Sequence, residues 1–151
     1  MEQDKLQLYK EHLEKSANED GYSFVLESLI ENFGADRGCL WLERENKFLY
    51  RGDEVLRKKF PFSRLAVDAV LREKGRSFLS FAPENDPRIS SRDSLEINQR
   101  SCLAAACNDA EKNFLVVAYF DRDAKSGQFN HQNLKTLKSV LSLVPGAVPV
   151  E

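Results

Sequence analysis

The sequence predicts an α/β (α+β) domain in which helices pack on a mainly antiparallel sheet. Three observations carry this. Apolar residues recur at helical spacing in two well-separated stretches, around 22–33 and 134–144. Short apolar runs come in pairs joined by compact polar turns, at 39–51 and 102–120, and strands paired that way are hairpins. Hairpins impose antiparallel neighbours, so the sheet cannot be of the parallel crossover kind.

The chain has 151 residues, the size of one domain with one core. Hydrophobic residues make up 42% and charged residues 30%, the balance of an ordinary folded chain. The formal net charge is -2 and cations are mixed with anions, so no basic stripe for nucleic acid is expected. No apolar run reaches the roughly 20 residues of a membrane span. The polar start Met1-Glu2-Gln3-Asp4-Lys5 does not read as a secretory signal. Cys39, Cys102 and Cys107 are odd in number and lie in apolar segments, which reads as reduced thiols in a cytoplasmic protein.

Residues 4–14 read as a charged helix with a narrow seam of Leu6, Tyr9 and Leu13. A seam this narrow is expected to meet a partner helix and not a sheet, so residues 1–16 are read as a dimerisation helix. Ser16–Gly21 reads as a break. Tyr22, Val25, Leu26, Leu29, Ile30 and Phe33 form a wide apolar helix face, and Gly34 supplies the left-handed stop. Cys39–Leu42 is apolar on both faces and is expected inside a sheet. Arg44-Glu45-Asn46 turns the chain into Lys47–Arg51. Residues 52–62 are a charged connection.

Ser63 is a helix cap, with Ala66, Val67, Val70 and Leu71 on the buried side and Gly75 as the exit. Phe78–Phe81 is a short strand. Residues 82–99, rich in Pro, Asn, Asp and Ser, read as a long irregular connection with a short helix near Asp93–Gln99. Its first part, 82–95, is expected to be the most mobile internal segment. Cys102–Cys107 and Phe114–Phe120 are interior strands joined by a polar turn. Asn130 opens the last helix, Phe129 and Leu134 staple it, and Pro145 ends it. Residues 17–145 are taken as the folded unit and 146–151 as a tail.

Several stretches together resemble the GAF family. Phe33–Leu42 is similar to that family's passage from first core helix to first strand. Phe62–Leu71 followed by Gly75 resembles its "S-x-x-L-x-x-x-V-L" helix, and Arg100-Ser101 its "R-S" strand opening. Val117–Asp121 resembles its "Y-x-D" strand end, and Gly127-Gln128-Phe129 the "G-x-F" before the last helix. The nearest resemblance is to regulatory GAF domains of sigma54-dependent activators and related bacterial signalling proteins. It implies a five- to six-stranded sheet with the terminal helices on one face. It also implies a small-molecule pocket on the other face, roofed by residues 82–99. The candidate ligand contacts are then Phe78, Ser80, Arg88, Ser94, Leu95, Arg100 and Cys102. The acidic pair of the cyclic-nucleotide pattern is absent after Phe129, and no bilin-type cysteine–histidine pair exists.

No residue pattern signals catalysis or a resident metal. Cys102 and Cys107 are five apart, hence on opposite faces of a strand, and read as structural thiols. A redox or iron-nitrosyl role for Cys102 beside Asp and Arg neighbours is the sharper reading. His12 and His131 read as solvent-exposed helix residues. No phosphate loop and no nucleophile elbow occurs. The expected function is therefore a non-catalytic sensory domain. It would bind a small molecule or partner, form a homodimer, and pass a signal to an output domain, with no contact to nucleic acid or membrane. The competing reading is a degenerate domain that only dimerises.

Overall fold

Hydrophobic spacing and turn chemistry place eight elements in the computed structural model, which describes residues 3–15, 19–52, 77–80, 100–123, 125 and 127–148. They are α1 (Gln3–Lys15), α2 (Glu19–Phe33), β1 (Arg37–Leu42), β2 (Lys47–Arg51), β3 (Ser77–Ser80), β4 (Arg100–Asn108), β5 (Phe114–Asp123) and α3 (His131–Leu141). The sheet runs β2-β1-β5-β4-β3, and every neighbouring pair is antiparallel. The strands that read as apolar on both faces, β1, β4 and β5, are its three interior strands. The helix expected at 63–75, the connection from 53 to 62 and the roof at 82–99 lie outside the described residues.

Local chemistry explains the corners. Asn46 takes a φ of 51° in the first hairpin, where its N–H donates to the Glu43 carbonyl at 3.2 Å. In the β4–β5 turn, Asp109 Oδ1 accepts the N–H groups of Glu111 and Asn113, both at 2.9 Å. The Asn113 N–H holds the Asp109 carboxyl below its usual range. Asn130 and Asn133 cap α3 reciprocally, each side chain accepting the other's backbone N–H at 2.9 Å.

The sheet separates two cores. On one face, α2 and α3 lay Val25, Leu26, Leu29, Phe33, Leu137, Val140 and Leu141 onto Leu40, Leu42, Leu103, Ala105, Ala118 and Phe120. Packing there leaves a cavity of only about 10 Å³. On the other face, Cys39, Tyr50, Cys102, Ala104, Ala106, Val117 and Tyr119 form a second buried cluster. Cys102 and Cys107 fall in different cores, as their odd spacing requires. Between Cys107 and Asn108 the β4–β5 register shifts, and beyond the shift Leu115 joins the helical core while Phe114 joins the second cluster.

The structure departs from the sequence reading in several places. The seam of α1 is filled from within the chain. Tyr9 and Leu13 are 3% and 1% exposed in the helical core, and Leu6 packs against it. A narrow stripe suffices because α1 lies on α2 and α3, helix against helix, and not on the sheet. The seam therefore gives no argument for a second copy. Helix α2 starts at Glu19, inside the stretch Ser16–Gly21 that reads as a break. His12 is partly buried, stacked on Phe24 with ring centres 3.8 Å apart. Helix α3 stops at Leu141, and Val144 reaches the core through the turns that follow. The start of the tail is fastened, with Val148 N–H donating to Asn108 O at 2.9 Å.

Candidate functional site

Among the described residues, a row of polar groups borders the buried apolar cluster on the sheet face away from α1, α2 and α3. Arg37 of β1, Asp121 of β5 and Cys102 of β4 are successive cross-strand neighbours, and Ser80 of β3 is the register partner of Cys102. The next row toward the sheet centre is Tyr50, Cys39, Tyr119, Ala104 and Phe78. Tyr119 and Asp121 are two apart on one strand, so both side chains emerge on the same face.

These groups form a continuous hydrogen-bonded chain. Arg37 Nε donates to both carboxylate oxygens of Asp121, at 2.7 and 2.9 Å. Tyr119 Oη donates to Asp121 Oδ2 at 3.1 Å, and Cys102 Sγ lies 3.1 Å from the same hydroxyl. Arg37 is 1% exposed, and Asp121, Tyr119 and Cys102 are each 0% exposed. Gly52 leaves room for the arginine, for a Cβ there would fall 2.5 Å from Arg37 Cβ and 2.8 Å from Tyr50 Oη.

Burial, and then the neighbouring Asp121 charge, push the Tyr119 hydroxyl and the Cys39 thiol well above their ordinary pKa values. Both stay protonated near neutrality. Tyr119 is thus a donor to the carboxylate, and Cys39 a neutral thiol with little nucleophilic character. The row offers hydrogen-bond donors, one paired carboxylate and one guanidinium within an apolar surface. Such a mixture is suited to recognising a small polar molecule or group. Among the described residues, no cluster of three His, Cys, Asp or Glu side chains could hold a metal ion.

The expected site residues are only partly brought together. Cys102 lies in the row beside Asp121 and ends its hydrogen-bonded chain. Phe78 and Ser80 occupy register positions opposite Ala104 and Cys102. Arg100 sits at the start of β4, opposite Asp123, two register positions beyond the polar row. Arg88, Ser94 and Leu95 lie outside the described residues. His131 is exposed at the start of α3.

Arg37, Tyr119, Asp121 and Cys39 were not among the candidate ligand contacts expected from the sequence. A signal for two of them existed. Tyr119-Phe120-Asp121 puts a phenol and a carboxylate on one face of a strand otherwise apolar throughout. A buried acid of that kind demands a cation, and Arg37 opens β1, another strand of apolar character.

No family model and no curated protein matches the sequence. The fold does have a counterpart among solved structures, the crystal structure of a GAF domain/HD domain protein from Geobacter sulfurreducens. The two superpose with a TM-score of 0.58 over 82% of this chain and 86% of that one, at 8% sequence identity. At that identity the likeness is one of architecture, and the architecture of this chain is GAF-like.

Proposed function

We propose that this chain is a non-catalytic sensory or regulatory domain that binds a small polar molecule, or a polar group of a partner, on the sheet face opposite the helices. The observation that carries the reading is the buried chain Arg37–Asp121–Tyr119–Cys102. A buried ion pair is weak as a stabiliser, because desolvation offsets most of its attraction. A scaffold without a ligand is served as well by apolar residues there, such as Ala104 and Ala106 further along β4. The GAF-like architecture supports the reading by analogy of fold alone. In the same proposal the domain works in the cytoplasm, where its thiols stay reduced, and reports to an output domain in bacterial signalling or transcription control.

Native mass spectrometry of freshly purified protein tests this, followed by thermal shifts across a panel of small anions, amines and nucleotides. The expected result is a non-covalent mass increment, or a panel compound that raises the Tm of the wild type and not of Cys102→Ala. A bare polypeptide mass together with no Tm shift from any compound overturns the reading.

The competing reading, a module that only dimerises, has one observation in its favour. Leu8 of α1 remains 43% exposed beside a groove of about 480 Å³ between α1 and α2. Sedimentation of the wild type and of Leu8→Ser decides it. A dimer mass that Leu8→Ser reduces to monomer supports dimerisation through this surface.

A further inference from the structure

The polar row and the helices meet at one corner of the fold. Strand β5 turns Tyr119 and Asp121 to the face away from the helices and Phe120 to the helical core. The turn joining α2 to β1, residues 34–36, is fastened to the end of that strand. Asp36 N–H donates to the Asp121 carbonyl at 3.0 Å, and Asp36 Oδ2 accepts the Asp123 N–H at 2.8 Å. Arg37 holds the Asp121 carboxylate. The Arg122 guanidinium lies against Gly34, 3.3 Å from where a Cβ would stand. It also lies 3.4 Å from the equivalent point on Gly127, in the segment leading into α3. Phe120 meets Phe33, the last residue of α2, edge to face at 5.3 Å.

We propose that this corner is a transmission joint, through which a change at Arg37, Asp121 and Tyr119 on one face reaches the last turn of α2 on the other. The inference rests on the sensing reading above and names how that site would be read out. Asp121 serves both sides, its carboxylate holding Arg37 and Tyr119 and its carbonyl holding Asp36. Arg37 and Asp36 are consecutive and both bond Asp121, one through the carboxylate and one through the carbonyl, so the two contacts hold adjoining points of the same turn. Gly34, two residues earlier, holds the left-handed position, φ 66°, that ends α2. Any ligand that draws a hydrogen bond from this pair therefore acts on a backbone segment whose conformation terminates a helix. Helix α1, packed on α2, lies next along that path.

The test needs no ligand and uses the full chain. Amide hydrogen exchange is compared between wild type and Tyr119→Phe, which removes only the hydroxyl donated to Asp121. Amides of 30–37 are expected to exchange roughly fivefold faster, the factor that corresponds to one ordinary hydrogen bond. Those of the first hairpin, 42–48, and of the last turn of α3 are expected to be unchanged. Asp36→Ala, which leaves the polar row intact, should loosen the same amides. Adding Tyr119→Phe to it should then have less than the additive effect. Should Tyr119→Phe fail to fold, Cys102→Ala perturbs the same row from its other end and carries the same expectation. Faster exchange confined to 101–103 and 117–119, uniform acceleration everywhere, or strict additivity overturns the joint. Absence of any ligand overturns the sensing reading instead and leaves these exchange results standing.

Discussion

Arg37 and Asp121 stand 84 positions apart in the chain, yet the arginine Nε lies 2.7 Å from one carboxylate oxygen with both side chains almost wholly buried. The pair joins β1 to β5 beside a cluster of buried apolar residues. Removing one partner strands the other in low dielectric. Arg37→Met is expected to cost about 3–5 kcal/mol. The double change Arg37→Met/Asp121→Leu should recover much of that loss. Urea denaturation of both variants checks this; a double variant as unstable as the sum of the singles contradicts it.

Cys39, Cys102 and Cys107 are all buried thiols with no disulfide. Burial also raises the pKa of Cys39 well above its ordinary value and that of Cys107 to about 12. In native buffer near neutral pH, a thiol reagent such as dithionitrobenzoate is expected to react with none of the three on the timescale of a free thiol. In denaturant without reductant it should find all three. A native thiol that reacts as fast as free cysteine would show that one of these strands opens readily.

The same burial makes stability fall in alkali. For Cys107 the unfolded thiol ionises near its ordinary value of 9.0, while the folded one stays protonated to about 12. Below pH 9 both states hold the proton and the contribution is complete. As pH rises from 9 to 12 the unfolded state is favoured by about 1.4 kcal/mol per pH unit for each such group. Tyr22, pushed to about 12 chiefly by burial, adds to the fall above pH 10. The urea midpoint is expected to drop between pH 9 and 11. Cys107→Ala should be less stable at pH 7 and show a shallower drop; parallel curves for the two proteins contradict the assignment.

Gly38 faces Phe120 across the β1–β5 ladder. A Cβ there would lie 2.6 Å from Phe120 Cδ1 and 3.2 Å from Ile30 Cγ1. Gly38→Ala is expected to destabilise by about 1–3 kcal/mol through overpacking. Phe120→Leu in the same chain should make the alanine cheaper than it is alone. Thermal unfolding of the four proteins of that cycle reads the coupling, and a cycle that closes to zero would mean the ring is not what excludes the methyl group.

Helix α1 belongs to the core of its own chain through Leu13, 1% exposed beside Tyr22, Val25 and Val140. Leu13→Ala is expected to cost about 2–5 kcal/mol at any protein concentration. If the helix served only an interface between copies, the loss would shrink as concentration rises. Denaturation curves over a wide concentration range separate the two.

Much of the fold was legible in the sequence because it rests on local rules. The stripe from Tyr22 to Phe33 and the stop at Gly34 define α2, and Gly34 indeed takes φ 66°. The box of Asn130 and Asn133 starts α3, and the runs 102–107 and 114–120 are the interior strands. Where reading went astray, the missing information was what each element packs on. Leu6, Tyr9 and Leu13 make the same narrow stripe whether the neighbouring helix is a second copy or α2 and α3. His12 looked polar along its helix, and only the placement of Phe24 makes it a stacked ring.

By itself, then, the sequence determined the helix faces, the hairpins, the antiparallel sheet and the opposite facing of Cys102 and Cys107. Each of these follows from periodicity or turn chemistry within a few residues. Tertiary structure alone decided that Arg37, Asp121, Tyr119 and Cys102 form one chain, since that depends on β1 and β4 both pairing with β5 in one register. Register is fixed by the summed packing of both sheet faces, a property of the whole core that no local stretch of sequence contains.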